Sequence, residues 1–268
     1  MPLYSETFGC RPANDDSRPT LVFLHGLLGS GRDWRHVVDR LSRSHFCLTI
    51  DLPGHGQSSM VSPEGFESVN RQITETLEHR HVGAYVLIGY SMGARLAMYH
   101  ACHQVPVSDS ERNSHAELVG LIVEGGHLGL PESERAARLV NDQRWARRFA
   151  AEPLADVLGE WYQQPVFSSL NHDQRQGLVK KRSDNLGAGI ARMLLATSLA
   201  RQPELKQQVA QLALPVLYLC GENDNKFKSL AEDSGLEINI IPSAGHNVHV
   251  ELPHEFGMAV THFLDRLE

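Results

Sequence analysis

Tyr85-Val86-Leu87-Ile88-Gly89-Tyr90-Ser91-Met92-Gly93-Ala94-Arg95-Leu96-Ala97-Met98 is the stretch on which the fold turns. Its first half is a β-branched and aromatic run of strand length, and its second half sets helix-forming residues at helical spacing. A serine with glycines two residues to either side stands at the junction, the pattern of a nucleophile elbow. So sharp a strand-to-helix turn forces the serine into a strained backbone conformation, and side chains at positions 89 and 93 would collide with the strand or helix. The Ser91 hydroxyl is then held out at the end of a sheet. There it meets a helix N-terminus, whose unpaired N–H groups and dipole favour negative charge. G-x-S-x-G is short enough to arise by chance; the strand before it and the helix after it give it weight.

On either side of the elbow, apolar runs alternate with helical patterns. Residues 20–24 read as a buried strand that ends in the loop His25-Gly26-Leu27-Leu28-Gly29-Ser30-Gly31. Residues 34–41 have helical spacing, and 46–51 form the next strand, closed by Leu52-Pro53-Gly54-His55-Gly56-Gln57-Ser58. A helix at 66–77 leads into the elbow strand, a helix at 91–103 leaves it, and 118–124 is another strand. The polar stretch 105–116 is expected to be an exposed loop. From about 126 to 212 only helical patterns remain, at 134–149, 153–162, 173–182 and 188–199. Strands resume at 215–222 and 237–242, and a helix from 253 to 267 closes the chain. Strands that are apolar on both faces and alternate with helices predict an α/β fold, a mainly parallel sheet flanked by helices. The expected organisation is a core at 1–125 and 213–268, with an inserted helical cap at 126–212.

Composition sets bounds on this picture. A chain of 268 residues with 41% hydrophobic content can bury one large core plus a modest insertion. A net charge of −7 without a basic block argues against nucleic acid, whose phosphates demand a concentrated Lys/Arg surface. Cys10, Cys47, Cys102 and Cys220 are far apart and lie mostly in apolar runs, so they read as buried thiols in a reducing compartment. Residues 1–10 lack a basic start and an apolar core, and no later run is long and apolar enough to span a bilayer. The expectation is a cytoplasmic, monomeric protein with no membrane partner and no cofactor.

A serine hydroxyl is a poor base and nucleophile unless a histidine takes its proton and a carboxylate fixes that histidine's tautomer. Partners must sit at the carboxyl ends of other strands. Asp224 follows the strand at 215–220 by one short loop, and His246 follows the strand at 237–241; Glu222, nearer its strand end, is the competing acid. The order serine, acid, histidine is that of an α/β-hydrolase. Fifteen histidines make any one of them suspect as a packing or surface residue; His246 stands apart because two independently placed elements agree with it, whereas His249 and His254 lack that support. His25 reads as a turn-stabilising residue. The pairs His79 with His81 and His100 with His103 lack a ligand set of recognisable spacing for a metal. An oxyanion would be met by the backbone N–H groups of Leu27 and Met92. Arg135, Arg138, Arg144, Arg147 and Arg148 crowd one helical stretch of an acidic chain, usually the mark of a solvated face. Yet Arg138 shares a side with Trp145, and Arg95 lies one turn after Ser91, so carboxylates in a small anionic substrate are indicated.

Several stretches resemble one family in particular. They are Phe23-Leu24-His25-Gly26, Asp51-Leu52-Pro53-Gly54-His55-Gly56, Gly89-Tyr90-Ser91-Met92-Gly93-Ala94-Arg95, Val123-Glu124-Gly125-Gly126-His127, Trp161-Tyr162-Gln163-Gln164-Pro165-Val166-Phe167, Leu219-Cys220-Gly221-Glu222 and Ala244-Gly245-His246-Asn247. The chain resembles the 2-succinyl-6-hydroxy-2,4-cyclohexadiene-1-carboxylate synthases (MenH) of menaquinone biosynthesis, in the α/β-hydrolase superfamily. The Glu-Gly-Gly-His and Trp-Tyr-Gln-Gln-Pro-Val-Phe stretches are the specific ones. The resemblance implies a lyase that eliminates pyruvate from an enolpyruvyl precursor. In this family the Ser-His-Asp set removes a carbon-bound proton, the oxyanion hole holds the enolate, and no acyl-enzyme is needed. The family's anion-binding positions fall on Arg95, Arg138 and Trp161, with Tyr90 beside the serine. Ala94 stands where the family often has a second glycine, and Leu128 where it often has proline. A carboxylesterase or thioesterase that uses Ser91 covalently is the alternative the same triad would support, and a non-catalytic receptor on the same fold is a third.

Overall fold

The computed structural model describes residues 1–11, 18–103 and 116–267. The polar stretch at 105–116 therefore lies outside the described residues, except for its last one. Seven strands, β1 (Ser5–Phe8), β2 (Thr20–Leu24), β3 (Cys47–Ile50), β4 (Ala84–Tyr90), β5 (Glu117–Glu124), β6 (Val216–Gly221) and β7 (Glu237–Ile241), make one sheet in the order β1-β3-β2-β4-β5-β6-β7. β1 runs antiparallel to β3, and every other neighbouring pair is parallel. The carboxyl ends of the parallel strands therefore share one edge of the sheet, with Leu24 beside Gly89 and Tyr90 beside Glu124.

Side chains alternate across each strand, and the two faces bury different sets. Val22, Leu24, Leu48, Ile50, Tyr85 and Leu87 face one core, with Ile73 of α2 (Phe66–His79) and Leu96 and Met98 of α3 (Met92–Cys102). Leu21, Phe23, Cys47, Val86 and Ile88 face the other, with Val37 and Val38 of α1 (Arg35–Leu41) and Trp34 just before it. Burial on both faces is why these strands read as unbroken apolar runs.

After β5 come α4 (Glu132–Ala151), α5 (Leu154–Trp161), α6 (His172–Arg182), α7 (Gly187–Ala196) and α8 (Lys206–Ala210). Trp145, Phe149, Val157, Leu158, Ile190 and Leu194 pack there as a third apolar cluster, which reaches Leu28 of the loop after β2. The sheet is completed by β6, α9 (Asn225–Glu232), β7, α10 (Val248–Glu251) and α11 (Pro253–Leu264), whose Phe256 and Phe263 close the second core.

Four short elements were not expected. β1 has four residues at an antiparallel edge, too few for alternation to register. α8, α9 and α10 have five, eight and four residues, at most about two helical turns each. Cys10 is exposed, against the expectation of a buried thiol, while Cys47 and Cys220 are buried. Among the described residues no helix is long and apolar enough to cross a membrane.

Candidate active site

The elbow has the strained geometry its sequence demands. Ser91 precedes α3 with φ 51° and ψ −107°, a conformation that a side-chain-bearing residue adopts only under constraint. A Cβ on Gly93 would lie 2.3 Å from the Leu24 carbonyl oxygen, and one on Gly89 would lie 2.5 Å from the Gly93 oxygen. The Ser91 N–H donates to the Glu124 carbonyl at 2.8 Å, which ties the turn to the end of β5.

The chain leaving β6 makes Asp224 the N-cap of α9, where its Oδ1 lies 3.5 Å from the Phe227 N–H. The other oxygen, Oδ2, lies 2.6 Å from His246 Nδ1. His246 Nε2 lies 3.4 Å from Ser91 Oγ, long for a hydrogen bond but within what resting sites show. Three residues from separate parts of the chain are thus linked in series, with Asp224 and His246 both buried. Glu222 is exposed and accepts the Ser243 N–H at 3.0 Å, away from the imidazole.

Around His246 the walls are aromatic. Phe227 lies 4.6 Å from it between ring centroids, Tyr90 5.3 Å and Phe167 6.3 Å. Phe167 comes from the stretch after α5, so the inserted helical region reaches the imidazole. Gly125 has φ +56°, and a Cβ there would come within 2.9 Å of the His246 ring, which gives the Glu-Gly-Gly-His stretch a steric reason. Tyr90 is wedged deep, its ring within 2.7 Å of where a Gly26 Cβ would stand.

The loop after β2 is latched by two buried histidines. His25 Nδ1–H donates to the Gly26 carbonyl at 2.7 Å, and its Nε2 accepts the Leu52 N–H at 2.9 Å. His55 mirrors it, with Nδ1–H on the Pro53 carbonyl and Nε2 accepting the Leu28 N–H at 3.0 Å. Burial lowers His25 to about 4 and His55 to about 3, so both are neutral and can accept as well as donate. The Leu27 and Met92 N–H groups, by contrast, have no protein acceptor among the described residues. Met92 is the first residue of α3, where an unpaired N–H is the rule.

Arg95 is buried; its Nη1 donates to the Thr197 carbonyl at 2.7 Å and lies 3.4 Å from Gln202 Oε1. Burial first, and Arg138 second, lower it to about 9. Asp142 takes the Arg138 Nε at 2.9 and 3.0 Å and is itself held by the Ser198 hydroxyl at 2.7 Å. The Arg138 Nη groups have no protein acceptor among the described residues. His127 is lowered to about 4, by burial first and then by the positive charges of Lys226, Arg95 and Arg138. Trp161 packs edge-on to Trp145 at 5.0 Å and against Phe149 at 5.3 Å.

Phe167, Phe227, His127 and Lys226 were not singled out from sequence. Phe167 and His127 lie in stretches already noted for their resemblance; Phe227 and Lys226 stand within three residues of Asp224, a position that could have flagged them. His100 is occupied by the Tyr85 hydroxyl and Asn70 Oδ1, each at 2.6 Å. Among the described residues no group of three or more His, Cys, Asp or Glu side chains is placed to hold a metal. A separate open cavity of about 650 Å³ lies behind the latched loop, lined by Arg32, Asp51, Lys180 and Arg182 among others, and the linked serine, histidine and aspartate are not part of it.

A serine on a strand-to-helix elbow, followed along one parallel sheet by an acid and then a histidine, defines an α/β-hydrolase. The alpha/beta hydrolase family pattern matches residues 21–258, and the chain belongs to that family. It is 47% identical over 248 residues to the 2-succinyl-6-hydroxy-2,4-cyclohexadiene-1-carboxylate synthase of Serratia proteamaculans (strain 568), covering 92% of this chain and 93% of that one. Identity to the enzyme of the same name from Yersinia pseudotuberculosis serotype O:3 (strain YPIII) is 46% over 256 residues, or 95% and 90% of the two chains. The chain is a member of the 2-succinyl-6-hydroxy-2,4-cyclohexadiene-1-carboxylate synthase family. In three dimensions it matches MenH from S. aureus with a TM-score of 0.84 and 26% identity over 98% of each chain. It also matches a thermophilic esterase from Thermogutta terrifontis with a TM-score of 0.78 and 22% identity over 99% of this chain and 93% of that one, a likeness of fold alone.

Proposed function

We propose that the chain performs its family's synthase reaction, elimination of pyruvate from an enolpyruvyl-bearing succinyl-cyclohexene carboxylate, with Ser91, His246 and Asp224 as its proton-transfer chain. Ser91 Oγ takes the proton from the ring carbon beside the succinyl carbonyl while its own proton passes to His246 Nε2. Asp224 holds Nδ1–H and balances the imidazolium that forms. The electron pair left on carbon moves onto the carbonyl oxygen, where the Leu27 and Met92 N–H groups meet it. It then returns through the ring double bond, expelling the enolpyruvyl oxygen. That leaving group takes a proton and becomes pyruvate, and the ring is left as a diene.

Arg95 and Arg138 bind the substrate's carboxylates, the latter through its open Nη edge, and Trp161 supplies a flat apolar wall. The small molecule is thus a polycarboxylate, and the free cysteines fit a cytoplasmic setting. The helices at 126–212 act as a cap, with Phe167 keeping water from the imidazole. The observation that carries this reading is the serial contact Asp224–His246–Ser91 beneath that cap, in a chain nearly half identical to two synthases of the family. The test is to give purified protein the enolpyruvyl precursor and follow pyruvate with lactate dehydrogenase. Rapid release that disappears in Ser91→Ala is expected; no acceleration over buffer sinks the reading. Fast turnover of simple esters, with an acyl group trapped on Ser91, would support the esterase instead.

A further inference from the structure

A second carboxyl–imidazole pair is buried at the same end of the sheet. Glu124 ends β5 fully buried, and its carboxyl oxygens take the His249 main-chain N–H at 3.1 Å and the His249 Nδ1–H at 2.7 Å. His249 is buried as well and stacks on Trp34, with centroids 3.9 Å apart and 22° between planes. Such groups are costly to hold away from water unless each satisfies the other. A main-chain contact of Glu124 gives the pair its significance: the Glu124 carbonyl accepts the Ser91 N–H. One residue therefore grips the elbow with its backbone and α10 with its side chain. α10 begins two residues after His246. Between the two imidazoles stands Tyr90, 5.3 Å from His246 and 4.8 Å from His249. On its other flank the His246 turn is held by Glu251, whose oxygens accept the Gly245 and Asn247 N–H groups at 2.8 and 3.2 Å.

We infer that Glu124 and His249 are a positioning pair that sets the separation of the Ser91 hydroxyl from the His246 imidazole. Neither touches substrate. The inference rests on the roles proposed above for Ser91 and His246. Glu251 shapes the turn internally, whereas Glu124 anchors that turn to the sheet that carries the serine. At 3.4 Å the Ser91–His246 contact has little slack, and misplacement by about 1 Å costs on the order of 100-fold in rate.

The test compares Glu124→Ala, Glu124→Gln and His249→Leu with wild type, each verified as folded by circular dichroism. Glutamine can restore both contacts: its Oε1 accepts the main-chain N–H, and its Nε2–H donates to the other His249 tautomer. Two rates are read, fluorophosphonate labelling of Ser91 and pyruvate release with kcat and KM separated. Glu124→Ala is expected to lower labelling and kcat by about 10- to 100-fold with KM within about twofold, and Glu124→Gln to recover most of the loss. Rates within about twofold of wild type in folded Glu124→Ala, a loss confined to KM, or no recovery with glutamine would overturn the inference. If Glu124→Ala does not fold, His249→Leu, which has no side-chain donor, decides by its labelling rate and its kcat and KM. Labelling of wild type without pyruvate release would instead remove the proposed function, and the labelling rates would still judge the pair.

Discussion

At the scale of single residues, the proposed chemistry makes sharp demands on four side chains. Ser91→Ala and His246→Ala each remove a step of the proton path and are expected to lower kcat by roughly 1,000-fold or more, and Asp224→Asn by a similar factor because it leaves His246 in the wrong tautomer. Arg138→Ala is expected to act differently: it removes a carboxylate contact made before and during reaction, so KM should rise about tenfold or more with kcat little changed. Steady-state pyruvate release separates the two patterns, and an arginine variant that lost kcat alone would contradict its role. The three linked residues were legible in sequence because each directly follows an apolar run, and a parallel sheet brings all such run ends to one edge. Glu124 and His249 were not legible as partners. A buried carboxyl and a buried imidazole 125 positions apart leave no local pattern, and only the packed fold shows them at 2.7 Å.

At the scale of elements, the elbow and the latched loop are two devices for placing N–H groups. Gly93→Ala would set a Cβ 2.3 Å from the Leu24 carbonyl, so α3 and the end of β2 would have to part; a loss of about 3 kcal/mol in urea unfolding and a collapse of activity are expected. The latch carries a pH signature, to which the buried His100 of α3 adds. His25, His55 and His100 are held neutral by burial, at about 4, 3 and 4, while the unfolded chain binds their protons near 6.5. Lowered folded-state values mean the unfolded state takes protons first, so stability is full above pH 6.5 and drains away as pH falls toward 4. By pH 5 each histidine accounts for about 2 kcal/mol. Urea midpoints at pH 7.5 and 5 should differ clearly, and equal midpoints would show that these imidazoles charge freely. Long elements were readable because each repeats its period several times. β1 and α10 were not, since four residues hold barely one turn or two alternations.

At the scale of the whole molecule, the question is how the inserted helices are seated on the sheet. Sequence marked the insertion by the loss of strand patterns but could not show what holds it down. Beside the apolar contacts that reach Leu28, part of that task falls on Asp33, just after the latched loop, and on Arg182 and Lys181 at the end of α6. Asp33 Oδ2 lies 2.6 Å from an Arg182 Nη, and Oδ1 lies 2.8 Å from Lys181 Nζ. Burial alone would raise the Asp33 pKa, but Arg182 and Lys181 together outweigh it and hold the carboxyl well below the ordinary range. Asp33 Oδ2 also lies 3.3 Å from the Ser30 N–H, so the anchor of the inserted helices is a support of the loop that carries Leu27 as well. Removing Arg182 leaves the buried Asp33 with only the half-exposed Lys181 to balance it, which costs more than the pair gains. Arg182→Met is therefore expected to lose about 3–5 kcal/mol, a fall in Tm of roughly 10 °C. Asp33→Leu combined with Arg182→Met should recover much of that stability, because no lone charge remains. It should not recover kcat, since the Ser30 N–H would still lack its acceptor and the loop proposed to meet the oxyanion its fixed position. Thermal melts and pyruvate release on the single and double variants check both halves; a double variant as active as wild type would show that the cap is seated independently of the loop.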